Sequence, residues 1–332
     1  MLPCWKWPSP PRKRYLIGRP GRRKTLNKLL SQAITRLTAA GVPAPKWDAE
    51  ELLEWAGGPD RSHLPLWDGM PEEAVLQRFE EGVSRREQRI PLQQIIGRTW
   101  FMGLPFQVSD QVLCPRPDTE ILVERAMALL KDKPRPRILD LCCGSGCIGI
   151  SLAHYLHKAR LVLSDISPAA LSLARNNAAL NKVQDRVSFA RGDLLEARLE
   201  ETDRAVKELA FDLICCNPPY IPAGEIDVLM PEVRDHEPRI ALDGGKDGLD
   251  FYRLLAESVI LRRALPDEGS HPEQSAMGFF GFQPQNDTVP LLLEIGCEQG
   301  AAVTEIFRTA GYQNILVYQD LAGLDRVVEI SL

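Results

Sequence analysis

The stretch "FDLICCNPPYIPAG", residues 211–224, carries an apolar strand straight into Asn217, Pro218, Pro219 and Tyr220. Neither proline has the N–H that a sheet ladder needs, so a central strand must stop here. The chemistry on offer is that of two rigid acceptors. The Asn217 side-chain oxygen and the Pro218 carbonyl can both accept hydrogen bonds from one NH2 group, with no neighbouring donor to compete. An NH2 joined to a π system, as in a carboxamide or a base amine, is a poor nucleophile because its lone pair is delocalised. Two fixed acceptors orient that lone pair for in-line attack, which is catalysis by positioning without a strong base. Tyr220 can pack on the flat face of the amide or base. The plainer reading is a tight turn after a strand.

What such an amine would attack is suggested upstream. In "RILDLCCGSGCIGI", Gly144, Gly146 and Gly149 satisfy G-x-G-x-x-G after a strand and at the opening of a helix. By itself this loop reads equally well as a nicotinamide site or as another kind of nucleoside site. Asp165 ends the next strand, where it can grip ribose hydroxyls. Asp193, in "RGDLL", ends the third and can accept from an adenine amino group. Asp140 sits just before the loop, where a carboxylate suits a cation better than a phosphate. Each acid alone could be a helix cap or a solvated strand end. Together they point to a ligand with ribose, adenine and a positive centre. S-adenosylmethionine has all three, and its sulfonium methyl is what an amine held at Asn217 would attack.

These residues need elements to hold them. "TLNKLLSQAITRLTAAGV" repeats apolar residues at Leu26, Leu29, Leu30, Ala33, Ile34 and Leu37, which is helix spacing stopped by Gly41. "KWDAEELLEWAGG" predicts a second helix, capped by Asp48 and ended by Gly57 and Gly58. A third begins near Pro71, so residues 25–90 read as a small helical domain. "IPLQQIIGRTWFMGLPFQV" holds two runs of strand character flanking Gly97 and Arg98, and residues 91–113 read as a β-hairpin linking two domains. From residue 114 to 332, helices alternate with continuous apolar strands. That pattern predicts an α/β, Rossmann-like, mostly parallel sheet covered on both faces. Only "LAGL" joins the last two strands, so one of them must run antiparallel to its neighbour. Residues 267–289 fit no element and read as a loop insertion.

Composition narrows the class. The apolar fraction of 44% and charged fraction of 26% suit a soluble globular protein. No stretch approaches a transmembrane span. Residues 1–24 hold eight Lys or Arg and no acid, so a chain of net charge −5 has a body near −13 without them. The segment reads as a disordered basic extension, with an organelle leader or a nucleic-acid arm as alternatives. The acidic body argues against a stable nucleic-acid partner. The eight cysteines form no Cys-x-x-Cys pair, so neither a disulfide framework nor a metal site is expected. A reducing, bacterial-type cytoplasm fits best.

On these residues the chain resembles the class I S-adenosylmethionine-dependent methyltransferases with an Asn-Pro-Pro-Tyr motif. Within them it is similar to the peptide chain release factor glutamine N5-methyltransferases. The resemblance covers about residues 25–332 and rests on "CPRPDTEILVE", "ILDLCCGSGCIGI", "NPPYIP", "PEVRDHEPRIALDGGKDGLDFYR", "LLLEIG" and "DLAGLDRVV". It implies that Cys142, Cys143, Gly144, Ser145, Gly146, Asp165, Asp193 and Leu194 contact the cofactor, with S-adenosylhomocysteine as product. It implies that Asn217, Pro218, Pro219 and Tyr220 hold the amide of the glutamine in a Gly-Gly-Gln loop. Residues 116–120 would border the active site, with Arg116 and Glu120 at the substrate, and the helical domain and hairpin would grip the rest of the release factor. Cys142 departs from the pattern, standing where many relatives have the first loop glycine.

Four rival readings share parts of this pattern. A sister enzyme could methylate a ribosomal protein's glutamine, and an adenine-N6 or guanine-N2 methyltransferase of nucleic acid could use the same four-residue turn. A non-enzymatic binding module or a dehydrogenase leaves that turn without a role.

Overall fold

The computed structural model describes residues 22–67, 69, 71–264 and 289–331. Residues 1–21 and 267–288, which hold most of the basic extension and of the expected insertion, lie outside the described residues. The chain divides into two compact units, with the boundary between Ile96 and Gly97.

The first unit is helical. Helix α1 (Arg22–Ala39) starts three residues earlier than its apolar spacing suggests, followed by α2 (Pro45–Ala56), α3 (Glu73–Glu87) and the short α4 (Leu92–Ile96). Leu26, Ala33 and Leu37 of α1 are buried with Leu52, Leu53, Phe79 and Val83 in one core. Gly57 ends α2 at φ 104, a left-handed position that suits glycine. Asp48 does not cap that helix. It lies buried one turn inside, where its Oδ2 takes a hydrogen bond from Arg86 Nε at 2.7 Å. Burial selects a paired carboxylate there, because an unpaired one would be costly.

The hairpin belongs to the second unit and is shorter than expected. Residues 92–96 are helix, and the strands are β1 (Arg98–Phe101) and β2 (Leu104–Gln107). The turn is therefore at Met102 and Gly103, not at Gly97 and Arg98. Met102 has φ 51 and Gly103 φ 69, the two positive values that a two-residue turn of this twist requires.

The sheet then runs β3 (Arg137–Leu141), β4 (Arg160–Asp165), β5 (Val187–Arg191), the two-residue β6 (Arg198–Leu199), β7 (Leu213–Cys216), β8 (Leu291–Glu294), β9 (Asn314–Gln319) and β10 (Asp325–Ser331). Their spatial order is β6-β5-β4-β3-β7-β8-β10-β9. Strands β5, β4, β3, β7 and β8 are parallel, and β10 is antiparallel to both β8 and β9. Helices α5 (Glu120–Leu130), α6 (Cys147–Tyr155) and α7 (Pro168–Leu180) share one core with the hairpin residues Phe101, Leu104 and Phe106. Helices α9 (Asp250–Ala264) and α10 (Gly300–Thr309) cover the other face through Tyr252, Leu255, Val303 and Phe307, and the single-turn α8 (Pro231–Arg234) precedes them. The double-sided α/β sheet read from the strand pattern is the one observed. No helix among the described residues is long and apolar enough to cross a membrane.

Strand order reverses between β3 and β7, and the helices that follow them, α6 and α9, pack on opposite faces of the sheet. In open α/β sheets the crevice beyond the carboxyl ends at this switch point is where ligands bind. Asp140 and the glycine loop leave β3 there, and Asn217 leaves β7.

Candidate active site

On the β3 side, backbone N–H groups converge on carboxylates. Gly144 N–H donates to Asp165 Oδ2 at 2.9 Å, and Ser167 N–H to Asp165 Oδ1 at 2.9 Å. Gly149 N–H donates to Asp140 Oδ2 at 2.8 Å. A Cβ on Gly149 would sit 2.9 Å from that oxygen and 2.7 Å from Leu163 Cδ1, so α6 can approach β3 this closely only with glycine at the position. Asp140 is sealed from solvent beneath the loop, and its other oxygen, Oδ1, has no partner among the described residues. Burial pushes its carboxyl up to about 7, against the pull of the Gly149 N–H. Asp165 is half-buried and raised for the same reason, with three backbone donors holding it back.

The loop backbone is left-handed at several points. Gly144 has φ 53, Gly146 φ 79 and Cys142 φ 53. The Cys142 value explains why glycine suits this position, since a side chain there costs about 1–2 kcal/mol. Its thiol hydrogen-bonds with Cys216 at the end of β7. Cys143 and Ser145 are buried, and Ser145 is held from below. The fully buried Asn177 of α7 donates from Nδ2 to the Ser145 carbonyl at 3.0 Å and to the Gln107 carbonyl at 3.1 Å, while its Oδ1 accepts from Gln107 N–H at 2.7 Å. One side chain thus joins the glycine loop to the hairpin.

On the β7 side, side chains replace backbone. Asn217 is half-buried, and its Nδ2 donates to Thr119 Oγ1 at 3.4 Å. The Thr119 hydroxyl faces the Glu294 carboxylate at the end of β8 and acts on it as a donor that favours the ionised form. Tyr220 OH donates to Glu294 Oε1 at 3.4 Å, and Tyr252 OH to the Glu294 carbonyl at 2.8 Å. Burial pushes the Glu294 carboxyl up to about 7, while Thr119, Arg326 and Tyr220 pull it down. Its Oε2 has no partner among the described residues. Among the described residues no backbone N–H donates to the Pro218 carbonyl. The turn itself is locked by the segment 242–248. Ile221 N–H donates to the Leu242 carbonyl at 2.9 Å, Gly244 N–H to the Ile221 carbonyl at 2.9 Å, and Gln299 Nε2 to the Tyr220 carbonyl at 2.9 Å. A Cβ on Gly244 would lie 2.9 Å from the Pro219 carbonyl oxygen.

The remaining expected residues lie around these two groups. Arg116 Nη2 pairs with the buried Glu237 Oε2 at 2.7 Å, and 42% of the arginine side chain stays exposed. Glu120 accepts the Met102 N–H of the hairpin turn and so braces that turn. Asp193 is exposed at the end of β5, followed by Leu194 at φ 42. Gly192 N–H donates to the Asp165 carbonyl at 3.2 Å, which ties this turn to the β4 end. Among the described residues no group of three or more His, Cys, Asp or Glu could hold a metal ion. Asn177, Glu237 and Glu294 were not singled out from sequence, and Thr119 entered only as a member of the run 116–120. Glu294 had one available signal, an acid closing the apolar strand "LLLE" as Asp140 nearly closes "RILDL".

Comparison with known proteins follows the same division. Residues 28–97 match the PrmC N-terminal domain, and residues 117–232 match the methyltransferase small domain. A release factor glutamine methyltransferase of Moorella thermoacetica is 39% identical over 91% of this chain and 96% of its own. Its counterpart in Cereibacter sphaeroides is 40% identical over 91% of this chain and 97% of its own. Among solved structures, the hMettl16 catalytic domain in complex with MAT2A 3'UTR hairpin 6 aligns with TM-score 0.50, covering 76% of this chain and 82% of that one. At 15% identity that likeness speaks for the fold alone. With a glycine loop on β3, an Asn-Pro-Pro-Tyr turn on β7 and relatives this similar over nearly their whole length, the chain belongs to the release factor glutamine methyltransferase family.

Proposed function

We propose that this chain transfers a methyl group from S-adenosylmethionine to the side-chain amide nitrogen of the glutamine in the Gly-Gly-Gln loop of peptide chain release factors. The observation that carries the reading is the pair of acceptors at the switch point, Asn217 Oδ1 and the Pro218 carbonyl. Both are held rigid by a turn that is bonded on its far side to residues 242–248.

The residues present fit the methyl donor. Asp165 has lone pairs left for ribose hydroxyls, Asp193 is exposed at the next strand end, and Asp140 adds a buried carboxyl with one unpartnered oxygen. A positive ligand nearby favours the ionised form of such a carboxyl. When bound, the donor supplies an activated methyl group on a sulfonium. Asn217 and Pro218 orient the substrate NH2 and turn its lone pair toward that methyl. As the N–C bond forms and the C–S bond breaks, positive charge develops on the amide nitrogen. The same two acceptors stabilise its N–H groups until one proton leaves to solvent. Tyr220 walls the site beside the amide plane.

We assign the rest of the release factor to the helical unit, the hairpin and the exposed part of Arg116. Glu120 braces the hairpin through its bond to the turn. The acidic body argues against a stable nucleic-acid partner. The described cysteines are all free thiols, which suits a reducing, bacterial-type cytoplasm.

The test is methyl transfer from labelled S-adenosylmethionine to a purified release factor, its Gly-Gly-Gln→Gly-Gly-Ala variant and duplex DNA, run side by side. Label on the release factor that disappears with the glutamine is the expected result. Label on DNA alone would overturn the reading in favour of nucleic-acid methylation.

A further inference from the structure

The Asn217 side chain has two ends of nearly the same shape and opposite chemistry. Only its oxygen can accept from a substrate NH2, whereas its own NH2 would meet that group donor to donor. Something must decide which end faces the substrate. We propose that Glu294, acting through the Thr119 hydroxyl, is the positioning residue that turns the Asn217 oxygen toward the substrate amide. The proposal rests on the reading that Asn217 holds that amide.

The number of available hydrogens decides the orientation. An ionised carboxylate only accepts, so the hydroxyls of Thr119 and Tyr220 must both donate to Glu294. Thr119 has one hydrogen, and once it is given to Glu294 its oxygen can only accept. The Asn217 NH2 must then face Thr119, as observed at 3.4 Å, and Oδ1 is left for the substrate. If Glu294 carries a proton it can donate to Thr119. The Thr119 hydrogen then swings to Asn217, draws the amide oxygen inward and presents NH2 to the substrate. The direction of the whole chain is set at its buried end.

Glu294 is placed for that task. Only 2% of it is exposed, and one carboxylate oxygen is unpartnered among the described residues, so it is not a satisfied structural bond. The groups facing it are Arg326 of β10, Asp118 and Thr119 ahead of α5, Tyr220 after β7, Tyr252 of α9 and Cys147 of α6. Arg326 favours the charged form and Asp118 opposes it, while burial pushes the carboxyl up to about 7. Proton loss near neutrality would therefore switch the Asn217 amide into its productive orientation, and turnover should rise with pH through that range.

The experiment measures kcat, KM for the release factor, S-adenosylmethionine affinity and the kcat–pH profile for Glu294→Gln, Thr119→Val, Thr119→Ser and Asn217→Ala. Glu294→Gln replaces the acceptor-only end with a group that can donate. It should lower kcat about 10- to 100-fold, with cofactor affinity unchanged and the rise in kcat near pH 7 abolished. Thr119→Val, nearly isosteric but without a hydroxyl, should lose a similar amount, and the double variant no more than either single one. Thr119→Ser should restore most of what Thr119→Val loses. If Glu294→Gln or Thr119→Val kept wild-type kcat and pH profile while Asn217→Ala lost turnover, the relay would be wrong and the amide-holding site would stand. If Asn217→Ala kept wild-type turnover, the underlying reading would fall first. Should Glu294→Gln not fold, the Thr119 pair decides alone, because neither change buries a charge, Thr119→Val keeps the side-chain volume and Thr119→Ser removes only one methyl group.

Discussion

The two halves of the site solve one problem in different materials. Each surrounds a buried carboxyl that has one unpartnered oxygen and is raised to about 7, Asp140 under the glycine loop and Glu294 behind the Asn-Pro-Pro-Tyr turn. On the glycine-loop side the donors are peptide N–H groups, Gly149 to Asp140 and Gly144 and Ser167 to the neighbouring Asp165, all fixed by the backbone. On the substrate side they are the hydroxyls of Thr119 and Tyr220, which rotate. A backbone cradle suits a ligand that is the same in every cycle. A hydroxyl chain suits a group whose orientation must be set, and it can be reversed by a single proton.

The comparison can be broken most severely at Asn217. Asn217→Ala should lower kcat on the order of 10²–10³-fold and leave S-adenosylmethionine binding intact by calorimetry. Loss of cofactor binding in that variant would mean that the halves are not separable. The converse change is smaller. Asp165→Ala should weaken cofactor binding about 10- to 100-fold, with kcat recovering at saturating S-adenosylmethionine. An unchanged affinity would remove Asp165 from the site.

Gly146→Ala probes how rigid the cradle is. Its Cβ would fall at φ 79 and 2.7 Å from Ile150 Cδ1, 3.0 Å from Leu163 Cδ2 and 3.2 Å from the Ala174 Cβ. The expected loss is about 1–3 kcal/mol of stability, read as a lower Tm. The smallest effect concerns pH. Asp140 has its carboxyl raised from 3.8 to about 7, so the folded protein keeps a proton that the unfolded chain has lost. Stability of the ligand-free protein should therefore fall as pH rises from about 4 to 7. Asp140→Asn should flatten that slope in denaturant titrations across the window, and an unaltered slope would place the titration elsewhere.

The glycine-loop half was largely legible in the sequence because it is contiguous. Strand, glycine turn and helix follow within "ILDLCCGSGCIGI", and the spacing of Gly144, Gly146 and Gly149 reports backbone contacts made within a few residues. The turn at Asn217 was legible too, since paired prolines state their conformation locally. The hydroxyl chain was not. Asn217 and Thr119 are 98 residues apart, and Tyr220 and Glu294 are 74 apart, so no local pattern records that they meet. The hairpin was misplaced for a different reason. Ile95 and Ile96 favour strands by type, yet Leu92 and Ile95 are buried three residues apart on one helical turn, and packing overrode propensity. Asp48 misled because its position near a helix start suggested a cap, whereas Arg86, which engages it, lies 38 residues away.

Asn177 has a consequence for how the second unit moves. Because its amide clasps Ser145 of the glycine loop and both backbone groups of Gln107, loop and hairpin share one elastic support. A nucleoside that stiffens the loop should therefore also stiffen the Gln107 peptide, read as slower exchange of its amide hydrogen when S-adenosylmethionine is added.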